Sequence, residues 1–444
     1  MPSRSRAVSG RRFLVAALAL LVALGASAGV QAQPAPSPGV TSLAAAAGTG
    51  LLSWWVELGP QGAQARAITS ASTCPVLTLD GTKHTMAVRA AASPSSFPVT
   101  VCEGPIPATT KQASIAGHTL PLLKGTPRRI AAVGDTGCRL IASEGFQDCN
   151  SPSSWPFAQI AHQIAAWHPD LIIHVGDYLY RLSPCPQGNT GCAGSPWGDN
   201  WAAWAADFFT PAASLLGAAP LVVVRGNHET CSRGGAGWFR FLDPRPYNPT
   251  CVDYTDPYSV TAGTMQFVVM DSAAANDSAP PQSQISIYQR QFAAVKQLAG
   301  PQAWLLTHKP LWAILRVSGT GTGTQITANN PTLEAAAHNN LPAAVQLVLS
   351  GHVHASEVLS YGTSTHRPPQ LVSGNGGSAL DHGIVTKLPG TKLAGATLSG
   401  GEVAARFGYV TLQPAANGWT ASERDPSGAT WATCTLGHDT ATCT

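Results

Sequence analysis

The chain has 444 residues, enough for one large catalytic domain and a smaller companion. With 44% hydrophobic and only 11% charged residues it can bury a large core, and it lacks the low-hydrophobicity, high-charge balance of a disordered chain. The formal charge of +3 comes from the first 32 residues, which hold Arg4, Arg6, Arg11 and Arg12 and no acid; the remainder carries 22 basic against 23 acidic groups, which excludes a strongly basic nucleic-acid binder.

Those arginines precede an apolar run over 13–26 and small residues around Val30-Gln31-Ala32. That order predicts a signal peptide over 1–32, with a run of about 14 residues that is short for a bilayer span. Arg11-Arg12 ahead of Phe13-Leu14-Val15 points to twin-arginine export, with general secretion as the alternative. The expected location is periplasmic or secreted, with no stable membrane anchor once the signal is removed. Ten cysteines follow the signal, an even number that in an exported chain predicts disulfides. Joining sequence neighbours gives 74–102, 138–149, 185–192, 231–251 and 434–443. No Cys-x-x-Cys pair occurs, so a thiolate zinc site has little support.

Residues 33–48 are rich in Ala, Pro, Gly and Ser and read as a linker. Residues 49–122 hold short β-prone runs, such as 51–58 and 99–102, broken by Pro and Gly, and predict a small β-rich domain. The remainder, 123–444, reads as the catalytic domain. From Arg128 its texture changes. The apolar run 130–133 ends in Gly134-Asp135, and 155–167 has helical spacing through Phe157, Ile160, Ile164 and Trp167. The run 171–175 ends in Gly176-Asp177, and 201–209 predicts a helix. The run 221–224 ends in Arg225-Gly226-Asn227-His228, and 266–270 in Asp271. Residues 287–298 predict a helix, 303–306 ends in Thr307-His308, and 345–349 ends in Ser350-Gly351-His352-Val353-His354. Strands alternating with helices predict an α/β fold.

In open α/β sheets, ligands bind beyond the carboxyl ends of strands, so these terminal side chains are expected to converge. The donors are the carboxylates of Asp135 and Asp177, the phenol of Tyr180, the amide oxygen of Asn227 and the imidazoles of His308, His352 and His354. Mixed oxygen and nitrogen donors suit zinc or first-row transition metals. The set is too large for one tetrahedral ion and fits two ions sharing a carboxylate, a recurring device for phosphoryl displacement.

The series Gly134-Asp135-Thr136-Gly137, Gly176-Asp177-Tyr178-Leu179-Tyr180, Gly226-Asn227-His228-Glu229, Leu305-Leu306-Thr307-His308 and Gly351-His352-Val353-His354 resembles the calcineurin-like metallophosphoesterase superfamily, within it the purple acid phosphatase branch. The resemblance implies a β-sandwich flanked by helices, an αββα architecture, after a smaller N-terminal β-rich domain. Most of the superfamily has Asp-x-His in the first motif. Here Gly137 stands in place of that His, and Tyr180 restores the missing ligand. A phenolate ligand needs a strong Lewis acid, for which Fe(III) is the natural candidate.

The resemblance further implies that Asp135, Tyr180 and His354 hold the first metal, Fe(III). Asn227, His308 and His352 hold the second, a divalent Zn, Fe or Mn, and Asp177 bridges them. Alternation along an ideal strand would place His352 and His354 on one face, from which they split between the ions. His228 is expected outside the metal set as the catalytic residue, holding phosphate or donating a proton to the leaving oxygen with an ordinary pKa near ~6.5. The alternative for His228 is orienting Asn227.

The implied activity is hydrolysis of phosphate monoesters by a metal-bound hydroxide attacking in line, with a small phosphorylated substrate and no nucleic-acid partner. A phosphodiesterase or nucleotidase on the same site is the alternative; a non-catalytic metal-bearing interaction protein is a remoter one. No Ser/His/Asp motif or phosphate-binding P-loop competes. Arg139 and Arg225 stand beside motif residues as candidate phosphate contacts, and His382 follows a Gly-rich loop. Trp197, Trp201, Trp204 and Trp312 are expected in packing or loop anchoring, and His162, His168 and His174 in structural roles. Members of the branch often carry further His shortly after the fourth motif, whereas 309–330 contains none.

Overall fold

The computed structural model describes residues 50–316, 326–328, 330–381 and 388–444. The expected signal peptide over 1–32, the linker over 33–48 and His382 lie outside the described residues.

The strands that carry the motifs are short and buried on both faces. Ile130–Val133, Leu171–His174 and Ala303–Leu306 are buried at every position, as strands covered on both sides must be. Ile130–Val133, Leu171–His174, Leu221–Val223 and Leu51–Gly59 pair in parallel, in that order, inside an eleven-stranded sheet. Met265–Val269, Ala303–Leu306, Val345–Ser350 and Gln370–Ser373 pair in parallel inside a seven-stranded sheet.

Alternation along the strands then decides the layers. Ile130, Ala132, Leu171 and Ile173 of the first sheet share a buried cluster with Phe267, Val269, Trp304 and Leu306 of the second. Ala131, Val133, Ile172 and Val223 pack the other way, against Phe157, Ile160, Ala161 and Ile164 of the helix Phe157–Ala166. On the second sheet, Val268, Leu305 and Val348 pack on Tyr288, Phe292 and Val295 of the helix Gln282–Leu298. The result is the expected α/β/β/α sandwich. Each large apolar side chain buried this way contributes about 1.5–3 kcal/mol, and the Phe157, Ile160, Ile164 stripe fastens its helix to the sheet.

The expected boundary near residue 122 is not a break in the structure. The N-terminal region is β-rich, but Glu57 pairs in parallel with Leu221, so Leu51–Gly59 continues the first sheet. The strands Gly62–Thr69, Thr100–Ile106 and Ala87–Ala90 extend it outward. The described residues fall in one compact unit. Two buried arginines fasten this region to the chain beyond Phe239. Arg66 donates to Phe241 O at 3.2 Å and Asp243 O at 3.0 Å. Arg89 donates to Phe239 O, Arg240 O, Asp243 O and Arg245 O at 2.7–3.1 Å.

The five expected disulfides all form: 74–102, 138–149, 185–192, 231–251 and 434–443. No described helix is long and apolar enough to cross a membrane.

Candidate metal centre

Parallel pairing brings the strand ends level. Val133 lies beside His174 and His174 beside Val223, so Asp135, Asp177 and Asn227 emerge side by side from the first sheet. Leu306 lies beside Leu349 in the second, which delivers His308 and the His352–His354 turn from the facing layer. Asp135, Asp177 and His352 all have left-handed backbones, with φ of +55°, +59° and +72°. Such angles in non-glycine residues turn the chain sharply at a strand end and recur at functional sites.

All seven expected donors converge, in two sets that share Asp177. In the first set the Tyr180 hydroxyl lies 2.8 Å from Asp177 Oδ2, 3.0 Å from Asp135 Oδ1 and 2.7 Å from His354 Nε2. In the second, His308 Nε2 lies 2.9 Å from Asn227 Oδ1 and 3.3 Å from Asp177 Oδ2. One ligand atom each from Asp177, His308 and His352 lies within 4.8 Å of the others. The split of His352 from His354 arises in a turn, not along a strand as expected: the strand ends at Ser350, and the left-handed His352 separates the two rings.

The electrostatics suit a cation. Asp135, Asp177, Tyr180 and His308 are at most 1% exposed. Burial, with Asp135 and Asp177 alongside, pushes the Tyr180 phenol well above its ordinary range. Burial pulls His308 down, yet Asp177 and Asp135 raise it to about 9. These buried oxygens therefore attract positive charge, as a cation site must. The ring tautomers also fit. His308 Nδ1 donates to Val175 O at 2.8 Å and His354 Nδ1 to Ala379 O at 2.7 Å, so each Nε2 turns its lone pair inward.

The sequence profile described as calcineurin-like phosphoesterase matches residues 128–356, just over half of the chain, and these residues include every donor named above. The chain belongs to the calcineurin-like phosphoesterase family. It is a metallophosphoesterase, and that family works with a binuclear metal centre. No curated protein matches the sequence. Among solved structures it is similar to a purple acid phosphatase from yellow lupin (Lupinus luteus) seeds, at 14% identity over 86% of this chain and 73% of that one, TM-score 0.54. It is also similar to PhoD, at 12% identity over 87% of this chain and 90% of that one, TM-score 0.51. At these identities the likeness is one of fold.

Gly137, where the resemblance of the first motif leads to the expectation of a histidine, has a steric reason to be glycine. A Cβ there would lie 2.9 Å from Tyr180 Cδ2, 2.9 Å from Asp207 Oδ2 and 2.8 Å from Tyr178 O. A side chain at 137 and the ring of Tyr180 therefore exclude each other. Gly137→Ala is expected to destabilise the metal-free protein by about 1–3 kcal/mol through overpacking, read by denaturant unfolding without reductant.

Sequence reasoning missed the groups that hold the ligand loops. Glu229, inside the Gly-Asn-His-Glu motif, accepts Asp177 N, Tyr178 N, Leu179 N and Gly226 N at 2.9–3.1 Å. One buried carboxylate thus ties the second motif to the third. Asp207 accepts Tyr180 N at 2.7 Å, Cys138 N at 3.0 Å and Arg181 N at 3.1 Å, fixing the Tyr180 loop. Asp207 lies on a π-helical turn, Ala205–Phe209, where a plain helix was expected. The only signal for these two was an acid beside or between motifs.

Other expectations sort themselves out. His228 lies outside the donor sets and stacks on Tyr180 with ring centroids 3.7 Å apart. Its pKa is not near the ordinary value, because burial pushes it down to about 3 against the pull of Asp177. Arg139 lies beside His354 Nδ1 and donates to Ala379 O at 2.9 Å. Arg225 is no phosphate contact here: it is 2% exposed and bonded to Asp271, Val252 O and Glu229 O. Trp204 and Trp312 are buried in apolar clusters, Trp201 packs against one, and Trp197 is half exposed. His162 and His168 are exposed, and His174 lies 3.0 Å from Thr136 Oγ1, behind the site.

Proposed function

We propose that the chain is an exported hydrolase of phosphate monoesters working with two metal ions, Fe(III) beside Tyr180 and a divalent Zn, Fe or Mn beside His308. The observation that carries this reading is Asp177 Oδ2, placed 2.8 Å from the Tyr180 hydroxyl and 3.3 Å from His308 Nε2. One carboxylate oxygen facing an anionic donor set and a neutral one is the arrangement that suits a trivalent ion beside a divalent one. Asp135, Tyr180 and His354 would hold the trivalent ion; Asn227, His308 and His352 the divalent one. Bound there, the ions supply Lewis acidity that neutralises phosphate charge and makes water nucleophilic near neutral pH.

The chain's own residues do the rest. Asp177 fixes the spacing of the two sets. His308 and His354 are locked by backbone carbonyls, so no reorganisation is needed when charge develops. His228, its ring stacked on Tyr180 with Nδ1 donating to Leu179 O at 3.2 Å and its backbone N–H donating to Asp177 Oδ1 at 2.8 Å, lies against the donors without belonging to them. In this reading it holds the phosphate or passes a proton to the leaving oxygen, and the second role requires the bound phosphate to raise the pKa that burial holds at about 3. His228→Ala is expected to lower kcat roughly 10²-fold while leaving both metals bound, as metal analysis would verify. The five disulfides support export.

The test is metal analysis with a visible spectrum of the purified mature protein. Two metals per chain and a broad band lost in Tyr180→Phe are expected. Two zinc or manganese ions in a colourless protein would remove iron but keep the phosphoesterase. Absence of metal after reconstitution would overturn the two-metal reading. A monoester arylphosphate is expected to turn over faster than the diester; the reverse order would establish a phosphodiesterase.

A further inference from the structure

The three ligand histidines are not oriented in the same way. His308 and His354 give their Nδ1 protons to backbone carbonyls of Val175 and Ala379, which no side-chain substitution removes. His352 instead turns Nε2 toward a side chain, Asp277 Oδ2, at 3.4 Å. Asp277 follows the strand Met265–Val269 and stands outside every motif in the sequence.

Asp277 is itself held by two other segments. Its Oδ1 accepts Asn330 Nδ2 at 2.7 Å, and its Oδ2 accepts Lys309 Nζ. Lys309, directly after the ligand His308 and only 5% exposed, also donates to Ala275 O at 2.7 Å. Asn330 uses its other atom, Oδ1, to cap the helix Pro331–Ala337 through Leu333 N at 2.8 Å. The carboxylate, 39% exposed, is therefore held from two segments, and Lys309 balances its charge.

We infer that Asp277 is a positioning residue for the second metal: it accepts the Nε2 proton of His352 and so leaves Nδ1 as the ligand atom. A neutral imidazole has one N–H, so the partner of one nitrogen decides which nitrogen is free to bind. The inference rests on the two-metal reading above. His352 thus binds through the opposite nitrogen to His308 and His354, and its tautomer depends on a side-chain acceptor where theirs depend on backbone carbonyls.

The experiment uses the full mature chain loaded with Zn(II), comparing wild type, Asp277→Ala and Asp277→Asn. Chelator competition reads the affinity of each ion separately, and long-range proton–nitrogen NMR on histidine-labelled protein reads the tautomers, with His352→Gln for assignment. Denaturant unfolding of the metal-free forms checks the fold. Two ions in wild type are the prerequisite, and their absence overturns the two-metal reading together with this inference. With two ions bound, His352 protonated on Nε2 is expected. Asp277→Ala is expected to weaken one ion about 10–100-fold and leave the other nearly unchanged. Asp277→Asn, whose amide oxygen still accepts the proton, is expected in between. His352 protonated on Nδ1, or unchanged affinities in Asp277→Ala, would overturn the assignment while sparing the two-metal reading. Equal weakening of both ions with lost metal-free stability would do the same, by showing a merely structural role.

Discussion

Asp177→Asn is expected to reduce kcat/KM on an aryl phosphate by on the order of 10³-fold or more, with loss of at least one of the two metals. The substitution keeps the shape of the side chain. Asn also tolerates the left-handed backbone, φ +59°, so strain is not the cause. What changes is one oxygen, the one that faces both the Tyr180 hydroxyl at 2.8 Å and His308 Nε2 at 3.3 Å. A neutral amide there supplies no charge to join two cations, and if its NH2 faces inward it offers them a donor. The other oxygen, which accepts His228 N at 2.8 Å, is still matched by an amide oxygen, so the fold should persist. Turnover and metal content measured on the same preparation check the result. Wild-type activity with two metals retained would remove Asp177 from the bridging position.

The second large effect concerns stability. Arg89→Ala is expected to lower the free energy of unfolding by about 3–5 kcal/mol, measured in denaturant without reductant. Arg89 is 6% exposed and donates to four backbone carbonyls between Phe239 and Arg245 and to Glu103 at 2.9 Å. Truncation leaves those buried carbonyls without their donor and weakens the hold of the N-terminal strands on the catalytic half. The deficit should depend on pH. Burial raises the pKa of Glu57, while Arg66 and then Arg89 oppose the rise. Without Arg89 the folded pKa of Glu57 climbs further. Above about pH 4.5 the unfolded chain then holds fewer protons than the folded one, so stability falls as pH rises. The variant should lose more stability at pH 8 than at pH 4.5; an equal loss at both would remove Glu57 from the explanation.

Much of the centre was legible because its logic is local. An apolar run followed by Gly-Asp, Gly-Asn or Thr-His marks a buried strand whose end presents a ligand atom, and a parallel sheet sets such ends level. Gly137 and Tyr180 were legible as a departure from the expected motif and a candidate donor to make it good, though not the collision that makes a side chain at 137 and the Tyr180 ring exclusive. The cysteines were legible because each closes a loop with its sequence neighbour.

The opaque parts are contacts between segments far apart in the chain. Glu229 reaches back to Asp177, Asp207 to Cys138 and Tyr180, and Asn330 to Asp277, each a side-chain carboxylate or amide matched to a donor or acceptor elsewhere. Nothing in the composition around Asp277 sets it apart from any surface acid. The union of the N-terminal strands with the catalytic sheet is of the same kind, since it turns on the pairing of Glu57 with Leu221 and on two arginines reaching carbonyls beyond residue 238. The sequence by itself determined the donor types, their order, the α/β pattern and the cysteine pairs, because strand periodicity and short-range spacing act over a few residues. Only the tertiary structure decided which buried carboxylates tie the ligand loops together, what each histidine ring is bonded to and how the N-terminal strands join the first sheet, because those depend on distances and angles between groups that meet only when the chain has folded.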